Sequence, residues 1–93
     1  MTALSGQKTV TTAGTAVQLG TAKVNCPLQV KALPGNTGVV YIGSDGAGDV
    51  SSSNGLALDA GDSVVFDYVD TLAVLWLDSA VNGEGVSWLM LVV

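Results

Sequence analysis

Short apolar runs alternate along this chain with clusters of Gly, Asn, Asp and Ser, which recur roughly every 8 to 12 residues. This spacing is typical of an all-β domain, and nothing in the composition marks a linker or a second domain. We predict a single antiparallel β-sandwich or jelly-roll-like domain of about eight short strands over residues 1–93, with residues 1–8 as a candidate N-terminal arm. The predicted strands are Lys8–Thr12, Ala16–Leu19, Pro27–Leu33, Val39–Gly43, Leu56–Leu58, Ser63–Tyr68, Leu72–Asp78 and Val86–Val93.

Turn residues separate these strands. Pro34-Gly35, Asn54-Gly55, Asn82-Gly83 and the segment 60–62 each predict a tight reversal. The helical spacing of apolar residues over 65–76 (Val65, Val69, Leu72 and Trp76) leaves a helix open as an alternative there, but Val and aromatic residues favour strand.

The two halves of the chain differ in their patterns. Leu28, Val30 and Ala32 alternate with polar Gln29 and Lys31, as expected of a strand with one solvated face.

The last two predicted strands are apolar on both faces. If Asn82-Gly83 closes a two-residue hairpin, Leu77 faces Trp88 and Leu75 faces Met90. One face then carries Leu72, Val74, Trp76, Leu89, Leu91 and Val93, and the other carries Ala73, Leu75, Leu77, Trp88, Met90 and Val92. A sandwich core needs only one of them, so the other must be covered by the same chain or by another protein. We take Leu75, Leu77, Trp88, Met90 and Val92 as the candidate interface with further copies of the chain or with another protein; the pattern alone leaves open which face is core.

Composition excludes several functional classes. The chain has no His and no Arg, three Lys against eight acids, and a net charge of −5. It therefore lacks a Ser-His or Cys-His pair for catalysis and the clustered cations that bind nucleic acid or anionic membranes. The apolar runs are much shorter than the roughly 20 residues of a membrane-spanning helix. No secretory signal is visible, so we expect synthesis in a cytoplasm.

The remaining chemistry-bearing residues are weak candidates for a site. The acid pairs Asp45/Asp49, Asp59/Asp62 and Asp67/Asp70 are expected to bond local backbone in turns. Segment 45–49 lacks the dense acids of a calcium loop, and the Gly-rich stretch 43–48 lacks the order of a dinucleotide fingerprint. Cys26 is the one cysteine, expected as a small buried apolar residue. We predict no enzyme activity, no catalytic residue, no metal and no cofactor.

Chain size bears on assembly. A monomer of this mass is expected to expose about 5,000 Å² of the about 13,500 Å² of its unfolded chain, which is marginal burial for a lone domain. Self-association is therefore expected.

Four segments carry a resemblance: VTTAGTAVQL, PLQVKALPGNTGVVYIG, LALDAGDSVVF and LDSAVNGEGVSWLMLV. Together they resemble the small β-sandwich capsid decoration, or cement, proteins of tailed bacteriophages. The resemblance implies a virion structural protein on the capsid surface that binds the major capsid protein, assembles with itself as a homotrimer and stabilises the head. The alternative is a tail-fibre or baseplate module that recognises a host glycan through Tyr41, Tyr68 or residues between Gly43 and Gly55.

Overall fold

The computed structural model describes residues 2–24, 27–44, 50, 54–67 and 70–92. These residues form ten strands, one 3-10 turn and no α-helix, so the predicted all-β class is confirmed. Across the same residues, no helix is long and apolar enough to cross a membrane. The strands are β1 (Thr2–Val10), β2 (Val17–Gln18), β3 (Lys23–Val24), β4 (Leu28–Ala32), β5 (Val40–Gly43), β6 (Leu56–Leu58), β7 (Ser63–Phe66), β8 (Asp70–Thr71), β9 (Trp76–Ser79) and β10 (Glu84–Val92).

Each strand of the first half pairs antiparallel with its counterpart in the second half. β1 pairs with β10, β2 with β9, β3 with β8, β4 with β7 and β5 with β6. The chain is thus one long hairpin, with its tip between β5 and β6. Two further pairings, β10 with β4 and β9 with β5, roll this hairpin up. The result is a jelly roll, which decides between the two predicted sandwich topologies.

The roll contains two four-stranded sheets and a small ribbon. The first sheet has the order β1-β10-β4-β7, the second β2-β9-β5-β6, and β3 pairs with β8 in the ribbon. The core lies between the two sheets and includes Val30, Ile42, Leu77, Val86 and Met90.

Burial in β4 follows the predicted alternation. Leu28, Val30 and Ala32 are fully buried, whereas Gln29 and Lys31 are exposed. The whole chain exposes 4889 Å², close to the about 5,000 Å² expected of a compact monomer of this mass. Any self-association must therefore use particular surface features, because the chain covers its own core.

The predicted N-terminal arm is wrong. Residues Thr2–Val10 form β1, which pairs along its whole length with β10. The prediction began this strand at Lys8, because the weakly alternating stretch before it gives no sign of the partner strand that holds it in the sheet.

The predicted strand Leu72–Asp78 is interrupted. Residues Leu72–Val74 form a 3-10 turn, whose N-terminal Thr71 hydroxyl accepts a hydrogen bond from the Ala73 N–H at 3.2 Å. Regular strand begins only at Trp76, so the side-chain alternation does not run through from Leu72. The helix alternative is also wrong, since Val65 lies in β7 and Trp76 in β9; Val69 lies outside the described residues.

The predicted closing hairpin is wrong as well. β9 and β10 belong to different sheets, and the segment between them crosses from one sheet to the other. Gly83 has a positive φ of 81°, as predicted for a turn, but its N–H donates to the Val10 carbonyl at 2.7 Å. The turn residues were recognised correctly, whereas the partners of the two strands depend on long-range packing that turn residues do not encode.

Glu84 ties the start of β10 to the loop between β4 and β5. Its carboxylate accepts hydrogen bonds from the Thr37 N–H at 2.7 Å, the Thr37 hydroxyl at 3.0 Å and the Gly38 N–H at 2.9 Å. These donors favour the ionised form, so the two backbone N–H groups hold the pKa of Glu84 below its ordinary value.

Leu77 gives a direct test of the core. Leu77→Ala removes a fully buried side chain, so we expect it to lower the free energy of unfolding by about 2–5 kcal/mol. Leu56→Ala, at a leucine that is 49% exposed, is the matched control and should change it by less than about 1 kcal/mol. Urea unfolding followed by circular dichroism measures both, and equal effects would contradict this core.

Glu84→Gln gives a pH-dependent test. Because folding lowers the pKa of Glu84, its contribution to stability is present above the ordinary value of 4.5 and is lost as pH falls below it. The variant should be less stable than the native chain near pH 6, and the difference should shrink below pH 4. Asp67→Asn, at an exposed acid, is the control; a Glu84→Gln difference that stays constant across this range would contradict the assigned hydrogen bonds.

Candidate interaction surface

The structure places most of the predicted interface residues in the chain's own core. Leu77 and Met90 are fully buried and Leu75 is 8% exposed, so these three are unavailable to a partner. The physical reason is the crossing between β9 and β10, which places Leu77 and Met90 in different sheets, where both are buried in the core. The prediction that Leu75, Leu77 and Met90 belong to an exposed interface is corrected accordingly.

The other two predicted residues lie in β10. Trp88 is half-buried and its indole packs against Gly6 of β1, where an added Cβ would lie 2.8 Å from Trp88 Cζ2. Val92 ends β10, and its side chain lies outside the described part of the structure.

The opposite face of β10 points outward. Its exposed residue Leu89 belongs to a row of side chains that crosses the sheet. Leu89 lies opposite Gln29 of β4, which lies opposite Val65 of β7. Leu89 is 46% and Val65 is 59% exposed. These three side chains form one row across three strands, which we call the outer row.

Shallow hollows flank the outer row. One of about 280 Å³ is bordered by Pro27, Gln29, Val65, Leu89 and Met90. A second, of about 290 Å³, shares Gln29 and Leu89 and extends to Lys31 and Ser87. The hollows make this face uneven, with apolar side chains beside an amide.

Charge is distributed unevenly over the first sheet. Lys31 lies on the outer face, in a row of otherwise uncharged residues, Gln7, Ser87 and Ser63. Three acids flank β7, Asp59 and Asp62 before it and Asp67 after it, and Glu84 at the start of β10 bonds the loop between β4 and β5. In a chain of net charge −5, the described strands of this sheet therefore carry no acid on their outer face, and β1 contains none.

Of the three candidate acid pairs, Asp59/Asp62 takes a structural role. The Asp62 carboxylate accepts from the Asp59 N–H at 3.1 Å, and the Asp62 N–H donates to the Asp59 carbonyl at 2.9 Å, which is the predicted turn role. Asp45 and Asp49 lie outside the described residues, as does Cys26. No group of three or more potential metal ligands occurs in the part of the chain that is described.

Asp78 is a buried acid that sequence inspection missed. It is 1% exposed, and its Oδ1 accepts from the Gly14 N–H at 2.9 Å and the Ser79 N–H at 2.8 Å. Oδ2 is buried without a protein hydrogen-bond partner. Asp78 thus fastens the loop after β1 to β9, a role that depends on a contact 64 positions away in sequence.

The glycan alternative gains little from the described residues. Tyr41 is half-buried in β5, opposite Asp78 of β9. Tyr68 and residues 45–49 and 51–53 lie outside the described structure. Glycan recognition by these residues stays a prediction.

The sequence pattern predicts the exposed positions of the outer row only in part. The alternation in β4 places Gln29 on the solvated face, and Leu89 belongs to the opposite face of β10 from Met90. The strand register that brings Leu89, Gln29 and Val65 into one row depends on which strands pair, and no local pattern indicates it.

The chain was also compared with known proteins. It matches no protein-family model, no curated protein and no solved structure. Its own geometry must therefore support any functional proposal.

A pair of aspartate substitutions separates the two faces of β10. Met90→Asp buries a charge in the core, and we expect it to abolish folding or to destabilise the chain by several kcal/mol. Leu89→Asp places the same charge on the outer face, and the chain should stay folded with a stability change below about 1 kcal/mol. Thermal melting followed by circular dichroism distinguishes them; the reverse order of stabilities would contradict the assignment of the faces.

Proposed function

We propose that this chain is a non-enzymatic capsid decoration protein. It is made in the cytoplasm of an infected host, assembles with copies of itself and binds the major capsid protein on the outer surface of a virus head. Three copies per assembly is the number implied by the resemblance to cement proteins. No cofactor, nucleic acid or membrane takes part in this role.

The outer row is the observation that carries the proposal. Leu89 and Val65 remain exposed on a sheet whose opposite face fills the core. A rigid sheet holds these side chains at fixed positions, so docking onto a shell requires little ordering of the chain. The low negative charge of the same face reduces repulsion from an acidic partner surface.

The dimensions of the face support binding in several copies. Four strands about 4.8 Å apart and about 20 Å long present roughly 400 Å². A stable protein interface typically buries about 800 Å² on each partner. A single copy would therefore bind weakly, whereas joined copies dock together and gain affinity through effective concentration.

The proposed action is mechanical. A bridge between neighbouring capsid subunits adds contacts that must break before the shell opens, and this opposes the outward pressure of packaged DNA. The jelly roll supplies a compact support for such a bridge. Jelly rolls occur in viral capsid and lectin domains, so fold alone supports neither role over the other.

Particles of the virus whose genome carries the gene provide the test. With the gene deleted, heads should assemble normally but release their DNA at a lower temperature than heads that contain the chain. Adding the purified chain back should restore the native release temperature. Mass spectrometry of native particles should find the chain in many copies per head.

Surface variants connect this test to the outer row. The double variant Leu89→Asp/Val65→Asp should stay folded but lose binding to undecorated heads in co-sedimentation. Leu56→Asp, at an exposed leucine of the second sheet, is the matched control and should bind like the native chain. Absence of the chain from particles, or a few copies confined to the tail, would contradict the proposal, and the tail location would favour the glycan-binding alternative.

A further inference from the structure

β1 is a long sheet edge with little of the usual protection. Among the described strands, β10 is its only partner, and the other sheet edges are much shorter: β2 has two residues, β6 three and β7 four, against nine for β1. Proteins usually protect an edge with a short strand, a proline, a bulge or charged side chains, above all Lys. β1 has nine consecutive pairs with β10, no proline and a single charge, at Lys8.

The hydrogen bonds of the neighbouring strand show which backbone groups of β1 point outward. The Leu33 N–H donates to the Gly85 carbonyl at 3.1 Å, so the backbone of Gly85 faces β4. The direction of the backbone N–H and C=O groups alternates from one residue of a strand to the next. These groups of Val86, Trp88 and Met90 therefore point toward β1, while their side chains lie on the inner face of the sheet. Their β1 partners are Lys8, Gly6 and Leu4.

The intervening residues of β1 consequently direct their backbone away from the sheet. These residues are Ala3, Ser5, Gln7 and Thr9, and each offers one N–H and one C=O along the edge. Within the described structure no strand pairs with this side of β1. An added antiparallel strand could form hydrogen bonds with all of these backbone groups.

The sequence of β1 matches a second copy of itself. Gly6 is the central residue of the nine, so a twofold axis there places Ser5 opposite Gln7 and Ala3 opposite Thr9 of the other copy. Both are pairs of outward-facing residues, and each exchanges two hydrogen bonds, giving roughly eight across the contact. Gly6 then lies opposite Gly6 at a closely spaced, non-hydrogen-bonded position, and this central pair brings no side chains into contact.

Side chains and charge fit the same arrangement. Lys8 lies opposite Leu4 of the other copy, where its aliphatic stem covers a leucine that is 41% exposed. The two lysines are separated by four residues along the strands, about 14 Å, so they do not face each other. The acids that flank β7 lie at the opposite edge of the sheet, which limits repulsion between two chains of net charge −5.

We propose that two copies of this chain pair through their β1 edges, antiparallel and centred on Gly6, to form one eight-stranded sheet. The pairing brings the two outer faces into one surface of about twice the area. For its biological role this contact rests on the proposed function, in which joined copies dock on a shell. The contact is twofold and gives pairs, whereas the resemblance to cement proteins implies three copies.

Light scattering over a dilution series tests the contact. The native chain should reach twice its mass of 9.3 kDa at high concentration and dissociate on dilution. Gln7→Pro removes an outward N–H but no bond to β10, so it should weaken dimerisation at least about tenfold. Gln7→Ala keeps the N–H and is the matched control.

Charge variants at Leu4 keep the test decisive if proline disturbs the fold. Leu4→Lys places a positive charge opposite Lys8 and should weaken the dimer on the order of tenfold, whereas Leu4→Glu should preserve it. The double variant Leu4→Lys/Lys8→Glu restores an opposite-charge pair and should recover dimerisation.

Each outcome discriminates between the two proposals. A monomer at every concentration, or an oligomer that Gln7→Pro and Leu4→Lys leave unchanged, overturns the β1 contact. A trimer that these variants leave unchanged also overturns the β1 contact. It leaves the proposal of capsid decoration intact, because binding to heads is measured separately. A dimer with the expected variant effects supports the contact even if the chain proves absent from virus particles.

Discussion

The antiparallel pairing of each strand in the first half with its counterpart in the second half is the constraint on which this structure depends. It makes the chain one long hairpin, and the additional pairs β10–β4 and β9–β5 roll that hairpin into two facing sheets. β10 is central to the result, since it pairs with β1 over nine residues and with β4 over five. The side chains of Val86 and Met90 on this strand fill the core.

The same pairing determines which surfaces remain free. Because β1, the first strand of the roll, pairs with no described strand other than β10, it ends the first sheet with nine residues of backbone. Because β10 and β4 are neighbours, Leu89, Gln29 and Val65 meet in one row on the outer face. The edge offers hydrogen bonds and the face offers apolar area, so the two surfaces are suited to different kinds of contact.

Local features were predictable from the sequence. The strand regions of β4, β5, β6 and β7, the alternation over Leu28–Ala32 and the Pro34-Gly35 turn follow from residue preferences and short-range periodicity. The position of β1, the pairing of β9 and β10 and the burial of Asp78 depend on residues far apart in the chain. The error over Leu77 and Met90 has this origin: a plausible turn at Asn82-Gly83 implied a hairpin, whereas the structure uses it to change sheets. Leu89 was assigned correctly to the face opposite Met90, but its partners in the outer row were not accessible to local reasoning.

Amide hydrogen exchange of β1, measured by NMR at low and high protein concentration, tests the central claim most directly. In the dilute chain, the N–H groups of Leu4, Gly6 and Lys8 should exchange slowly because they bond to β10, whereas those of Ser5 and Gln7 should exchange fast. At high concentration Ser5 and Gln7 should become protected as well, because a second copy then occupies the edge. Exchange at Ser5 and Gln7 that stays fast at every concentration would contradict pairing through β1.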